Sequence, residues 1–238
     1  MKKKTDPIAP LAIINARIET VTNGRIETGG IRIGSDGRIA AVGSTVKPLK
    51  TDSVIDADGA IVTPGLIDAH THAGLAEDGF LDDPDYNEMS GPVTPQVRAL
   101  DGFKPADISL WEAAHSGVTT VYVTPGSANV IGGIGVIVKT YGRSHSDMIV
   151  QAESGMKMAT GENPKRVYGS QNKMPYTRMG IAALFRETFS ATKDYIASKK
   201  AASKQKGGSK KPFETDLKKE AIARVLSGEL VARCHSHR

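Results

Sequence analysis

The sequence predicts an α/β chain, a small β-sandwich-like module followed by an incomplete (β/α) barrel. Three observations carry this expectation. Residues 11–63 alternate short β-rich runs with Asn-Gly and Asp-Gly turns. From Pro64 onward, strand-like and helix-like stretches alternate, as in a parallel sheet with helices on its faces. Only 175 residues follow Thr63, with four or five barrel-type strands among them, whereas a closed eight-stranded barrel takes ~250 residues. The expected division is therefore 1–63 for the β module and 64–238 for the partial barrel.

Within the first part, "LAIINARIET", "GGIRIG" and "IAAVG" read as strands joined by "TNGR" and "SDGR". Asn-Gly and Asp-Gly supply the positive φ angles of tight hairpins. "SVIDADGAIVTPG" reads as a further strand pair turning at Asp58-Gly59.

In the second part, "GLIDAHTH" reads as a buried strand. "KPADISLWEAAHSG" reads as a helix with Ile108, Trp111 and Ala114 on one face and a stop at Gly117. "VTTVYVTPG" is a β-branched run suited to a strand covered on both faces. "GIGVIVKTYG" and "DMIVQAESGMKMA" supply further strands. Two helices follow, "YTRMGIAALFRETFSATKDYIASKKAA" and "FETDLKKEAIARVLSGE", and "LVARCHSH" is the last strand. The glycines of "TPGSANVIGGIGVIVKTYG" fit neither phosphate-loop pattern, because Val138 stands where each requires glycine. They are expected to form a hairpin near the barrel mouth.

Composition excludes several classes. Hydrophobic content of 39% and charged content of 24% are those of an ordinary globular protein. No apolar run reaches the ~20 residues of a membrane helix. Asp6, Pro7 and Pro10 interrupt the signal-like start. The single cysteine, Cys234, allows no internal disulfide, consistent with a reducing cytoplasm. The net charge of +5 is local: 193–219 carries nine lysines against Asp194, Glu214 and Asp216, so the remainder sums to −1. That excess reads as a basic insertion at 199–212 on the solvated surface, not as a nucleic-acid site.

The chemistry concentrates in "PGLIDAHTHAG", Pro64 to Gly74. Strand residues two apart share a face, so Asp68, His70 and His72 project together and two imidazoles aim at one point. Such a pair can share a divalent ion, or can be two ordinary loop histidines, and Asp68 can steady the strand behind it. Gly74 lets the chain turn away. At the other end, "ARCHSHR" sets His235 and His237 on one face, with Cys234 turned away. His115 and His145 lie in a helix pattern and a loop and read as structural or solvent-facing.

The string "TPGLIDAHTHAG", preceded by a β-rich module ending in "DADGAIV", resembles the opening of the amidohydrolase superfamily, of the imidazolonepropionase and N-acetylglucosamine-6-phosphate deacetylase kind. The resemblance implies a metal-dependent hydrolase barrel holding one or two divalent ions, zinc being the expected metal. It implies His70 and His72 as metal ligands. It adds a ligand from "AESGMKMATGENPK", with Glu162 favoured, Lys157 (as a carboxylated lysine) the alternative and Glu153 a third option. His235 takes the place of the fifth-strand histidine ligand, and His237 is a substrate contact. The expected reaction is hydrolysis of a C–N bond in a cyclic amide or N-acyl small molecule by a metal-activated water. The family's sixth-strand histidine and eighth-strand catalytic aspartate have no counterpart here, so the catalytic residue stays unknown. The competing expectation is a truncated, catalytically incomplete chain that needs a complementing C-terminal chain; a homo-oligomer is a further possible partnership.

Overall fold

In the computed structural model the described residues are 8–76, 85–142, 144–204 and 213–237. The chain forms two compact units, Met1–Gly65 and Leu66–Arg238.

The first unit is one five-stranded sheet: β1 (Leu11–Glu19), β2 (Arg25–Ile33), β3 (Ile39–Gly43), β4 (Ser53–Asp56) and β5 (Ile61–Val62). β1 lies at its centre, antiparallel to β2, which pairs with β3. The expected pairing of β4 with β5 is corrected. Both run parallel to β1, against Leu11–Ile14 and Arg17–Ile18. Asp58 (φ 45°) and Gly59 (φ 76°) make the anticipated turn, but it steps the chain along β1 instead of folding it back. A bulge at Asn15 (φ 54°) matches that step, and its amide donates to both Asp56 carboxylate oxygens at 3.0 and 2.9 Å. Ala16, Ile18 and Ile31 form a small core. The second layer that a sandwich requires is not found among the described residues.

The second unit contains β6 (Leu66–Thr71), α1 (Ala99–Gly102), α2 (Ile108–His115), β7 (Val118–Val123), β8 (Ile131–Ile134), β9 (Val136–Lys139), α3 (His145–Met148), β10 (Ile149–Gln151), β11 (Met156–Ala159), α4 (Glu162–Gly169), α5 (Arg178–Lys204), α6 (Leu217–Leu226) and β12 (Ala232–His235). Its strands form two sheets, ordered β10-β9-β7-β6 and β12-β11-β8. β6 with β7 and β11 with β12 run parallel. These are the pairs joined through helices, as a crossover requires. β7 with β9, β9 with β10, and β8 with β11 are antiparallel. The described strands therefore do not close into a barrel, and the parallel expectation holds at two pairs only.

Two apolar clusters support these sheets. Leu75, Leu110, Val121, Val123, Val136 and Val138 pack around the first. Ile131, Ile134, Met156, Met158, Ile181 and Ile222 pack around the second.

Four local expectations are corrected. β6 is largely exposed, with Ile67 at 73%, because it is the edge strand of its sheet. α2 buries Leu110, while Ile108 and Trp111 face solvent. The glycine-rich run makes no hairpin: β8 pairs with β11 and β9 with β7. Its glycines permit close approach instead, since a Cβ on Gly133 (φ 121°) would lie 2.6 Å from the Val97 carbonyl oxygen. Residues 199–204 of the basic segment continue α5, whereas 205–212 lie outside the described residues.

Candidate metal centre

β6 carries His70 near its end, and His72 follows in the turn that Gly74 (φ 81°) completes. A Cβ on Gly74 would strike the Phe103 ring at 2.6 Å, so glycine is required there by both space and backbone. Asp107 anchors this turn. Its Oδ2 accepts the Gly74 N–H at 2.8 Å while Oδ1 accepts the Ser109 N–H at 2.9 Å, capping α2. Asp68 holds the strand itself, accepting the His70 N–H at 3.0 Å.

The two imidazole rings lie 5.5 Å apart, centre to centre, nearly perpendicular. That is close to the ~5 Å separation of two imidazoles sharing one ion at N–metal bonds of ~2.1 Å. His72 Nδ1 donates to the Thr124 carbonyl at 2.7 Å, which leaves its Nε2 lone pair for a ligand. Tyr86 stacks on the other side of the His72 ring at 5.5 Å. Burial, then the Lys157 charge, depress His70 below the ordinary imidazole pKa. Burial also depresses His72, against the opposing effect of its Thr124 bond. Both rings are therefore neutral at physiological pH.

The centre of the group is Lys157. It lies on β11, flanked by Met156 and Met158, and is 1% exposed. Its Nζ meets His70 Nε2 at 2.8 Å. Among the described residues no carboxylate pairs with it. A buried ammonium without a counter-charge is costly, and burial pulls the Lys157 pKa down to about 8. β12 brings His235 alongside through its parallel pairing with β11, with the His235 and His70 rings 6.3 Å apart. Burial and Lys157 depress His235 as well.

These side chains enclose a cavity of about 170 Å³ lined by Ala69, His70, Tyr122, Thr124, Lys157, Arg233, Cys234 and His235. Cys234, expected to face away, also borders it.

The favoured Glu162 lies elsewhere. It opens α4, and its carboxylate is 3.5 Å from His237 Nδ1, with both side chains at least half exposed. Glu153 is committed to ion pairs with Arg98 (3.1 Å) and Arg224. Burial alone would raise its pKa, but the two arginines outweigh it and hold it low. His115 packs on Trp111, and His145 begins α3 against Phe103, away from a loop setting. Among the described residues, no three His, Cys, Asp or Glu side chains are grouped to hold an ion. As an ammonium, Lys157 has no lone pair to offer.

Sequence reasoning missed Arg233, Tyr122, Tyr86 and Asp107. Arg233 had a signal, since it shares the strand alternation of His235. Tyr86 had none, because it arrives from a segment without regular structure.

The overall likeness settles the family. Over 96% of its length the chain superposes on an amidohydrolase from Thermotoga maritima, with a TM-score of 0.87 and 40% identity, covering 58% of that chain. The chain belongs to the amidohydrolase superfamily. The amidohydrolase tasK of Hapsidospora irregularis is 34% identical over 204 residues, 78% of this chain and 21% of tasK. A 5'-deoxyadenosine deaminase of Methanothermobacter thermautotrophicus is 43% identical over 108 residues, 40% of this chain and 24% of the deaminase. The chain thus spans about a fifth to a quarter of the length of these curated relatives and just over half of the Thermotoga protein. No protein-family model matches the sequence. Among the described residues no helix is long and apolar enough to cross a membrane.

Proposed function

We propose that the chain provides the metal-binding part of a hydrolase that cleaves a C–N bond in a small cyclic amide or N-acyl compound. The observation that carries this reading is the buried Lys157 between His70 and His235. In its neutral form the Nζ lone pair attacks carbon dioxide. An N–C bond forms, one C=O π pair moves to oxygen, and the displaced proton leaves to water. The product is a carbamate, which replaces a costly buried cation by one negative charge shared between two oxygen donors. That change resolves the misfit between a cationic centre and a divalent ion, and makes Lys157, not Glu162, the bridging-type ligand.

His70 and His72 would hold one ion, zinc being the expected metal. Modified Lys157 and His235 would complete the donor set for one or two ions. When bound, the metal supplies Lewis acidity toward a carbonyl and toward water. The chain's own residues set the stage: Thr124 fixes the His72 tautomer, Asp68 and Asp107 hold the backbone beneath the histidines, and Tyr122 walls the cavity. His237, paired with Glu162, would touch substrate. In the closed barrel that this reading assumes, the base would come from a further strand.

The test is metal content on a size-exclusion peak after incubation with zinc and 13C-bicarbonate. The expected result is about one or two ions per chain and a protein-bound carbamate 13C signal. Both should fall together in Lys157→Met, and the metal should be lost in His70→Ala/His72→Ala. A folded wild-type peak that keeps neither metal nor label would overturn the reading.

A further inference from the structure

The cavity beside the histidines carries a second cation that the metal chemistry does not use. Arg233, on β12, lines it together with Lys157, His70 and His235, and no Asp or Glu lines it. Among the described residues Arg233 has no carboxylate partner, and its buried Nε makes no hydrogen bond.

The guanidinium is nevertheless held in place. It lies over the Tyr122 ring at 4.2 Å from the ring centre, a stacked arrangement that suits arginine. Tyr122 is itself buried and donates to the Gly155 carbonyl at 3.3 Å. Gly155 (φ 79°) clears the space, because a Cβ there would lie 2.7 Å from Arg233 Nε. A planar fork fixed by an aromatic ring and a required glycine, opening on a cavity with no acid, is a preorganised acceptor for an anion. The cavity's 170 Å³ is the share of five or six waters at ~30 Å³ each. That is room for one carboxylate and a short connecting chain.

We propose that Arg233 is a specificity residue that binds a carboxylate carried by the amide substrate. This assignment rests on the reading of the cavity as the substrate site. The shared chemistry is a carboxylate group, and its two sources are a free anion and a carboxylated amide.

The experiment is calorimetric titration of the metal-free chain at pH 7 with N-acetylglycine, N-acetylglycinamide and acetate, for wild type and for Arg233→Met, Arg233→Lys and Lys157→Met. Metal-free protein prevents turnover during the titration. N-acetylglycine is expected to bind ~10- to 100-fold more tightly than its amide, the range of a charge-assisted hydrogen bond. That preference should collapse to within about twofold in Arg233→Met. It should shrink but persist in Arg233→Lys, which keeps the charge and loses the fork, and should survive in Lys157→Met. Equal binding of acid and amide by wild type would overturn the proposal, as would an unchanged preference in a folded Arg233→Met or Arg233→Lys protein. Loss of the preference in Lys157→Met alone would move the site to the lysine and equally overturn it. Acetate binding as tightly as N-acetylglycine would make the source a free anion and overturn the substrate assignment. A chain that takes up zinc but shows no acid preference refutes this inference alone, whereas one that takes up no zinc refutes the functional reading beneath it.

Discussion

β6 and β11 both feed the candidate centre, but they are built on opposite plans. β6 carries His70 at a sheet edge and leads into His72, with most of its side chains in solvent. β11 carries Lys157 in a strand whose four residues are all buried, between β8 and β12. The comparison separates two ways of making a polar site. The exposed edge strand carries His70 with its backbone N–H held by Asp68. A buried strand holds an amine only by penalising its charge.

The largest expected effect lies in the buried strand. Met156 is fully buried in the second core, so Met156→Ala should cost 2–5 kcal/mol by the usual range for such truncations. Urea unfolding measures it, and a loss below ~1 kcal/mol would break the contrast with β6.

Next comes Lys157→Met, with the opposite sign. The Lys157 pKa falls from 10.5 to about 8 on folding. A depressed lysine leaves full stability above the unfolded pKa and loses it as pH falls toward the folded one. At pH 7 the whole cost is present, roughly 3 kcal/mol at ~1.36 kcal/mol per unit. In metal-free buffer stripped of carbon dioxide, Lys157→Met should be more stable by up to that amount at pH 7. The gain should shrink below ~1 kcal/mol at pH 10. A gain independent of pH would mean that burial of charge is not its cause.

Asp107→Ala comes third. It removes the α2 cap and the Gly74 anchor together, for about 1–2 kcal/mol by the usual cost of a lost N-cap. It should also weaken zinc binding by loosening the turn beyond His72, which a chelator competition would read. Ile67→Thr, on the exposed face of β6, comes last and should stay within ~0.5 kcal/mol. A larger loss would show that this face is covered in solution.

Much of the local structure was legible in the sequence. Gly117 marks the end of α2 as expected, and the β-branched run 118–123 is the strand its composition implies. The proximity of the His70 and His72 rings was legible because strand alternation and a following glycine are local properties. Sheet partnership was not. β4 and β5 looked like a hairpin because Asp58-Gly59 is a good turn, yet both found β1, whose long edge offered more hydrogen bonds. Burial of α2 was misjudged for a related reason: its periodicity defines two apolar positions per turn, and only the neighbour decides that Leu110, not Trp111, goes inward.

By itself the sequence determined where the turns fall, which histidines share a face, and that the basic charge is local. The tertiary structure decided which of Glu153, Lys157 and Glu162 meets His70, and that Arg233 opens into the same cavity. The reason is that local signals depend on backbone angles a few residues apart, whereas the environment of a charge depends on strands 87 residues distant in sequence, as His70 and Lys157 are.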